Sequence, residues 1–126
     1  MSIIKVDYGE IGGDTNITPV ISGYTDSTTG TGIKAYDYYK LMDSSIASYS
    51  SGTITINKKG TYRVGVFLTD LASYTQRLVI GSENISIIST NYYSFIRELN
   101  VGDTIYFNRI DISGTTRFSL DVDLLS

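Results

Sequence analysis

The sequence predicts an all-β sandwich, and three observations carry the prediction. From residue 49 onward, short apolar runs alternate with turn residues at roughly ten-residue spacing. β-Branched and aromatic residues dominate those runs, as a pleated and half-buried surface prefers. Within the runs, apolar and polar residues alternate with period two. The chain has 126 residues, enough for one ordinary domain and too few for two.

The elements follow in order. Residues 3–8 form a short apolar run, read as a strand. Residues 9–32 are rich in Gly, Thr, Ser and Asp, and few of them suit burial. The sequence therefore predicts an extended, loop-rich N-terminal arm over residues 1–32 and the main domain over 33–126. The segment 33–47 fits two readings. Positions 35, 38, 39, 42 and 46 suit a helix, while Tyr36 and Tyr38 suit a strand. The β character of the rest favours a strand followed by a loop.

Thr53-Ile54-Thr55-Ile56 alternates strictly, with both Ile on one face. Lys58-Lys59-Gly60 then turns the chain. Tyr62, Val64, Val66 and Leu68 share one face of the next strand, opposite Arg63 and Gly65. Residues 76–80 and 85–88 read as two short strands around a Gly81-Ser82-Glu83-Asn84 turn. Residues 92–99 alternate Tyr93, Phe95, Arg97 and Leu99 against the opposite set. Asn100-Val101-Gly102-Asp103 turns into a strand with Ile105 and Phe107 on one side, and Ser113-Gly114-Thr115 turns again. In the closing strand, Phe118, Leu120, Val122 and Leu124 face inward while Ser119, Asp121 and Asp123 face outward.

Composition excludes several functions. The chain has no Cys and no His. Disulfide scaffolds, thiolate nucleophiles, Ser-His arrangements and the usual zinc ligands go together. Ten Lys+Arg against 13 Asp+Glu give a net charge of -3, with the basic residues scattered singly. That argues against nucleic-acid binding. No run approaches the roughly 20 apolar residues of a membrane span, so no membrane insertion is expected. The apolar patch in Met1–Asp7 is shorter than a signal peptide needs, so the chain is expected to be made in a cytoplasm without one.

Three phrases carry a family resemblance. Ser51-Gly52-Thr53-Ile54-Thr55-Ile56 followed by Lys59-Gly60-Thr61-Tyr62-Arg63-Val64 resembles paired strands of the C1q and tumour-necrosis-factor jelly rolls, with their Gly-x-Tyr step. Leu99-Asn100-Val101-Gly102-Asp103-Thr104-Ile105 resembles the family's Leu-x-x-Gly-Asp-x-Val step. Phe118-Ser119-Leu120-Asp121-Val122-Asp123-Leu124-Leu125 is similar to its closing strand, with Leu120 where the family often has Gly. The likeness spans about residues 49–125. It implies a jelly-roll sandwich of about ten antiparallel strands that assembles as a homotrimer and acts by binding, not as an enzyme. The opening Ile3-Ile4-Lys5-Val6-Asp7-Tyr8-Gly9-Glu10-Ile11-Gly12-Gly13 resembles the start of small structural proteins of phages from Gram-positive bacteria. That likeness implies a place in the virion, other virion proteins as partners of the arm, and a host surface glycan or protein as ligand.

Paired carboxylates are the only catalytic raw material. Asp121 and Asp123 project from one face of one strand and read as a solvated outer face, with Asp103 and Asp111 as further candidates. A glycoside hydrolase needs two carboxylates facing across a cleft, roughly 5 to 10 Å apart, which sequence cannot show. No cofactor is expected. Ca²⁺ is possible from Asp, Asn and carbonyl ligands, but no EF-hand loop is present.

Tyrosine is the stronger signal: 11 Tyr with no Trp. Such rings bury area with few rotors and keep a polar handle. Three roles stay open: core filling, subunit interface and ligand platform. The ligand candidates are Tyr36, Tyr38, Tyr39, Tyr74, Tyr92 and Tyr93. Val79, Ile96 and Tyr106 lie opposite the inward rows of their strands and are the subunit-interface candidates. The reading is a non-enzymatic structural or adhesive module of a phage particle. The alternative is a free bacterial carbohydrate- or protein-binding module of the same fold.

Overall fold

The structure is a computed structural model of the chain; it describes residues 17–28, 30–70, 76–87, 91–110 and 116–125. Eleven strands appear among the described residues: β1 (Ile17–Thr28), β2 (Gly32–Ile33), β3 (Tyr38–Leu41), β4 (Ala47–Ser50), β5 (Thr53–Ile56), β6 (Gly60–Asp70), β7 (Gln76–Ile80), β8 (Glu83–Ile87), β9 (Tyr92–Leu99), β10 (Thr104–Arg109) and β11 (Thr116–Leu125). They form two antiparallel sheets. One has the order β3-β1-β11-β6-β9; the other runs β4-β5-β10-β7-β8, with β2 beside β10.

The two longest alternations meet at the centre of the five-stranded sheet. Phe118, Leu120, Val122 and Leu124 of β11 stand directly opposite Leu68, Val66, Val64 and Tyr62 of β6. All eight are buried. Ile54 and Ile56 of β5 and Ile105 and Phe107 of β10 cover them from the six-stranded sheet. Period two is what lets each strand give one full face to this core. Tyr62 buries its ring there and donates its hydroxyl to the Lys58 carbonyl. Segment 33–47 is strand and loop, without a helix.

Two ends of the sandwich are tied by polar groups. Arg97 of β9 holds Glu83 of β8 through two bonds of 2.7 and 3.0 Å, linking the edge strands of the two sheets. At the other end Arg109 is buried and donates to Thr116 Oγ1 and to the Gly30 carbonyl. Beside it the buried Gln76 accepts the Ile110 amide through Oε1.

The expected arm needs correction. Ile17–Thr28 is not an appendage: it pairs with β11 on one side and β3 on the other, and Val20 and Ile21 are fully buried. The boundary at residue 32 therefore cuts through the sandwich. Alternation is masked here because the inward positions after Ile21 are Gly23 and Thr25, both buried, and because the register shifts between Pro19 and Ile21. The expected strand at residues 3–8 and the turn at 113–115 lie outside the described residues.

Candidate functional site

The outer face of the five-stranded sheet carries the candidate site. Register assembles it. Tyr38 of β3 lies opposite Tyr24 of β1, Tyr24 opposite Ser119 of β11, Ser119 opposite Phe67 of β6, and Phe67 opposite Tyr92 of β9. One straight row thus crosses all five strands with four rings and a single Ser at its centre. Tyr24, Ser119 and Phe67 are outward because their neighbours in sequence are buried in the core. Tyr38, Tyr24, Phe67 and Tyr92 are 62, 46, 44 and 49% exposed. Tyr24 and Tyr38 stack at 5.1 Å between centroids. The small Ser119 leaves a gap between Tyr24 and Phe67. That gap is a shallow cleft of about 210 Å³, lined also by Thr25, Arg117 and Phe118.

A polar cluster fixes Tyr92. Arg63 Nε and Nη2 donate to Asp123 Oδ2 at 2.9 and 2.5 Å, and Arg63 Nη1 donates to the Tyr92 hydroxyl at 2.5 Å. Gly65 lies between Arg63 and Phe67 on the same face. A methyl group there would meet both Arg63 Nη1 and Tyr92 Oη at 2.5 Å, so only glycine lets the two side chains meet over its backbone. Asp121, in the next row, accepts from Ser22 Oγ at 2.8 Å. Asp121 and Asp123 are therefore half-buried and tied into the sheet face rather than freely solvated. Arg117 at the cleft rim donates to the Asp26 carbonyl at 2.5 Å and lies 3.6 Å from its carboxylate.

The six-stranded sheet presents a contrasting outer face. Ser48, Thr55 and Thr104 stand in one row, and Ser50 faces Thr53 in the next. Hydroxyls fill those two rows, with Tyr106 of β10 the next outward residue after Thr104.

The predicted residues divide. Tyr38 and Tyr92 join the row. Tyr39 is half-exposed and packs on Tyr49 at 4.4 Å. Tyr36 and Tyr93 are not exposed rings: Tyr93 packs against the core, and Tyr36 is buried, stacked on Tyr49 at 4.9 Å. Burial pushes the Tyr36 hydroxyl far above the usual phenol range, helped by Tyr49 and Asp121, and among the described residues that hydroxyl has no hydrogen-bond partner. Tyr74 lies outside the described residues. The three interface candidates do not gather. Ile96 stands 55% exposed on the five-stranded sheet. Val79 and Tyr106 pair on the other sheet, and Val79 is already buried by its own neighbours. Sequence reasoning missed Tyr24, Phe67 and Ser119. Phe67 was within reach, because period two from Arg63 and Gly65 puts it outward. Among the described residues no cluster of three or more acidic side chains forms a metal site.

No protein-family model matches the chain, and no curated protein matches it in sequence. Among solved structures it is similar to pika GITRL, with 17% identity, a TM-score of 0.60, and 86% of this chain and 98% of that one covered. It is similar also to murine APRIL, with 13% identity, a TM-score of 0.50, and 86% and 100% covered. At such identities the likeness is one of fold. The chain is an all-β jelly roll with the fold of these two structures.

Proposed function

We propose that this C1q/TNF-like module is a non-enzymatic structural and adhesive protein that assembles as a homotrimer through the outer face of its five-stranded sheet. The observation that carries the reading is the aromatic row Tyr38–Tyr24–Ser119–Phe67–Tyr92 on one face, set against Ser and Thr rows on the other. A monomer gains nothing from showing four rings in line to water, and contiguous apolar patches of this kind mark interaction surfaces. Two ion pairs on that face, Arg63–Asp123 and Arg117–Asp26, are made within the chain. Covering those four side chains therefore buries paired rather than lone charges. The phage setting, with attachment to other virion proteins and recognition of a host surface, rests on the opening phrase of residues 3–13 alone.

Light scattering across a dilution series tests the assembly. The expected mass is three times the 13.9 kDa of the chain. A 13.9 kDa species at micromolar concentration removes the reading.

A further inference from the structure

Charge is distributed unevenly between the two outer faces. On the five-stranded sheet Arg63 and Arg117 each meet a carboxylate of the same chain. The strands of the six-stranded sheet carry one carboxylate, Glu83, and it is turned to Arg97 of the other sheet. They carry two arginines. Arg109 is buried, while Arg77 points outward between the buried Gln76 and Leu78. Arg77 is thus the one charged side chain at an outward strand position of that sheet among the described residues. Its Nη1 donates to Ser86 Oγ at 3.2 Å, and among the described residues no carboxylate meets it. Register surrounds it with neutral hydrogen-bonding groups. Asn108 of β10 and Ser86 of β8 flank Arg77 in one row, and Tyr106 and Asn84 flank Val79 in the next. Tyr106 and Arg77 are therefore diagonal neighbours, roughly 7 to 8 Å apart.

We propose that this patch binds a carboxylated saccharide, with the sugar ring over Tyr106 and its carboxylate on Arg77. The inference rests on the adhesive homotrimer reading and names its ligand class. Once the five-stranded face is covered, the six-stranded face is the one left to meet other molecules. Charge selects the anion. The planar guanidinium holds five N–H donors in a fork that matches a carboxylate, and Ser86 takes one of them. The neutral groups select the sugar. A pyranose offers an apolar C–H face for an aromatic ring and a rim of hydroxyls that both donate and accept. Tyr106 supplies the ring, and the amides of Asn84 and Asn108 supply donors and acceptors together. The diagonal spacing suits a single sugar unit that lies on Tyr106 and turns its acid group to Arg77. A nucleic acid would need a cluster of cations in place of one. A peptide anchored by an apolar side chain would need an open apolar seat, and Val79 between the two rows is already buried.

Two probes carry the test, trigalacturonate and sialyllactose, each set against its methyl ester, which removes the charge and keeps the sugar. Amide chemical-shift titrations of the full chain with millimolar probe read both the place and the affinity. The acid form of at least one probe should move the amides of Arg77, Tyr106, Asn108 and Ser86. Its ester should bind about tenfold more weakly, as loss of a charge-assisted hydrogen bond does. Arg77→Gln should cause the same loss with an unchanged thermal melt. Tyr106→Leu should weaken acid and ester alike, since the ring meets the sugar and not the charge. Equal binding of acid and ester overturns the site, and so does native affinity in Arg77→Gln. Shifts confined to other elements, or no shift with either probe, overturn it too. Light scattering keeps the two readings apart. A trimer that fails these titrations loses the saccharide site and keeps the homotrimer. A monomer that binds the acid form through Arg77 keeps the site and loses the homotrimer.

Discussion

The ring of Tyr36 fills the space that a side chain at Gly23 would take: a methyl group there would lie 2.5 Å from Tyr36 Cδ2 and 2.8 Å from Cγ. Gly23 is thus a core position whose filling comes from another element. The ring is clamped on its other side by Tyr49, whose hydroxyl accepts the Tyr36 amide at 2.9 Å. Gly23→Ala should therefore destabilise the fold by about 1 to 3 kcal/mol, as overpacking does. Thermal melts measure the loss, and combining it with Tyr36→Leu should recover part of it. Equal losses in the Gly23→Ala chain with and without Tyr36→Leu would show that the two residues are not coupled.

Truncation tests the corrected boundary. Removing residues 1–28 takes away the strand between β3 and β11, leaving Phe118, Leu120 and Val122 with one flank uncovered. Circular dichroism of that chain should show an unfolded protein. A cooperative melt near the full-length value would return residues 17–28 to the status of a dispensable arm.

Core and surface should separate along β11. Phe118 is buried and stacks on Phe107 at 4.2 Å, so Phe118→Ala should cost about 3 to 5 kcal/mol. Asp121→Asn keeps an acceptor for Ser22 Oγ and should change stability by less than about 0.5 kcal/mol. Melts ranking the two the other way would shift the facing of β11 by one residue.

Much of the sandwich was legible because β6 and β11 alternate without interruption, so facing follows from the sequence alone. β1 was not legible. Its inward Gly23 and Thr25 look like loop residues until Tyr36, thirteen positions beyond Gly23, is seen to occupy the gap. The site was half legible for a related reason. Tyr38, Tyr92 and Ile96 are readable as outward rings or apolar residues, strand by strand. Their alignment with Tyr24, Ser119 and Phe67 is a matter of register across five strands drawn from distant parts of the chain, and sequence spacing does not encode register between strands that are not joined by a tight turn.

Acid should weaken the clamp between the sheet edges. Arg97 holds the Glu83 carboxyl below the usual carboxylate range, first through the hydrogen bond and then through its charge. A depressed folded-state value means the contribution is present above the unfolded value and is lost as pH falls through the folded one. Both side chains are well exposed, so the effect is small and salt-screened. Stability measured from neutral pH down through the carboxylate range should fall less in Glu83→Gln than in the native chain, and the difference should shrink in high salt. Identical acid limbs would leave the pair without a share in stability.

Phe67 separates folding from assembly. It projects from β6 on the outer face, nearly half exposed, beside the Ser119 gap, while its neighbours Val66 and Leu68 are buried in the core. Removing the ring opens no internal cavity, so Phe67→Ala should cost the dissociated chain less than about 1 kcal/mol. The same change strips one wall from the cleft and breaks the aromatic row between Ser119 and Tyr92. Assembly should therefore suffer more than folding. Aromatic residues at the buried centre of an interface commonly cost about 2 kcal/mol or more on truncation, which is roughly a thirtyfold rise in the half-assembly concentration. The pair of measurements is a thermal melt at a concentration where the chain is dissociated and a light-scattering dilution series. A melt that drops by several kilocalories per mole would place Phe67 in the core rather than on the face. A melt and a dilution series that both match the native chain would mean that the row is covered by nothing, and the reading of this face as a subunit contact would go with it.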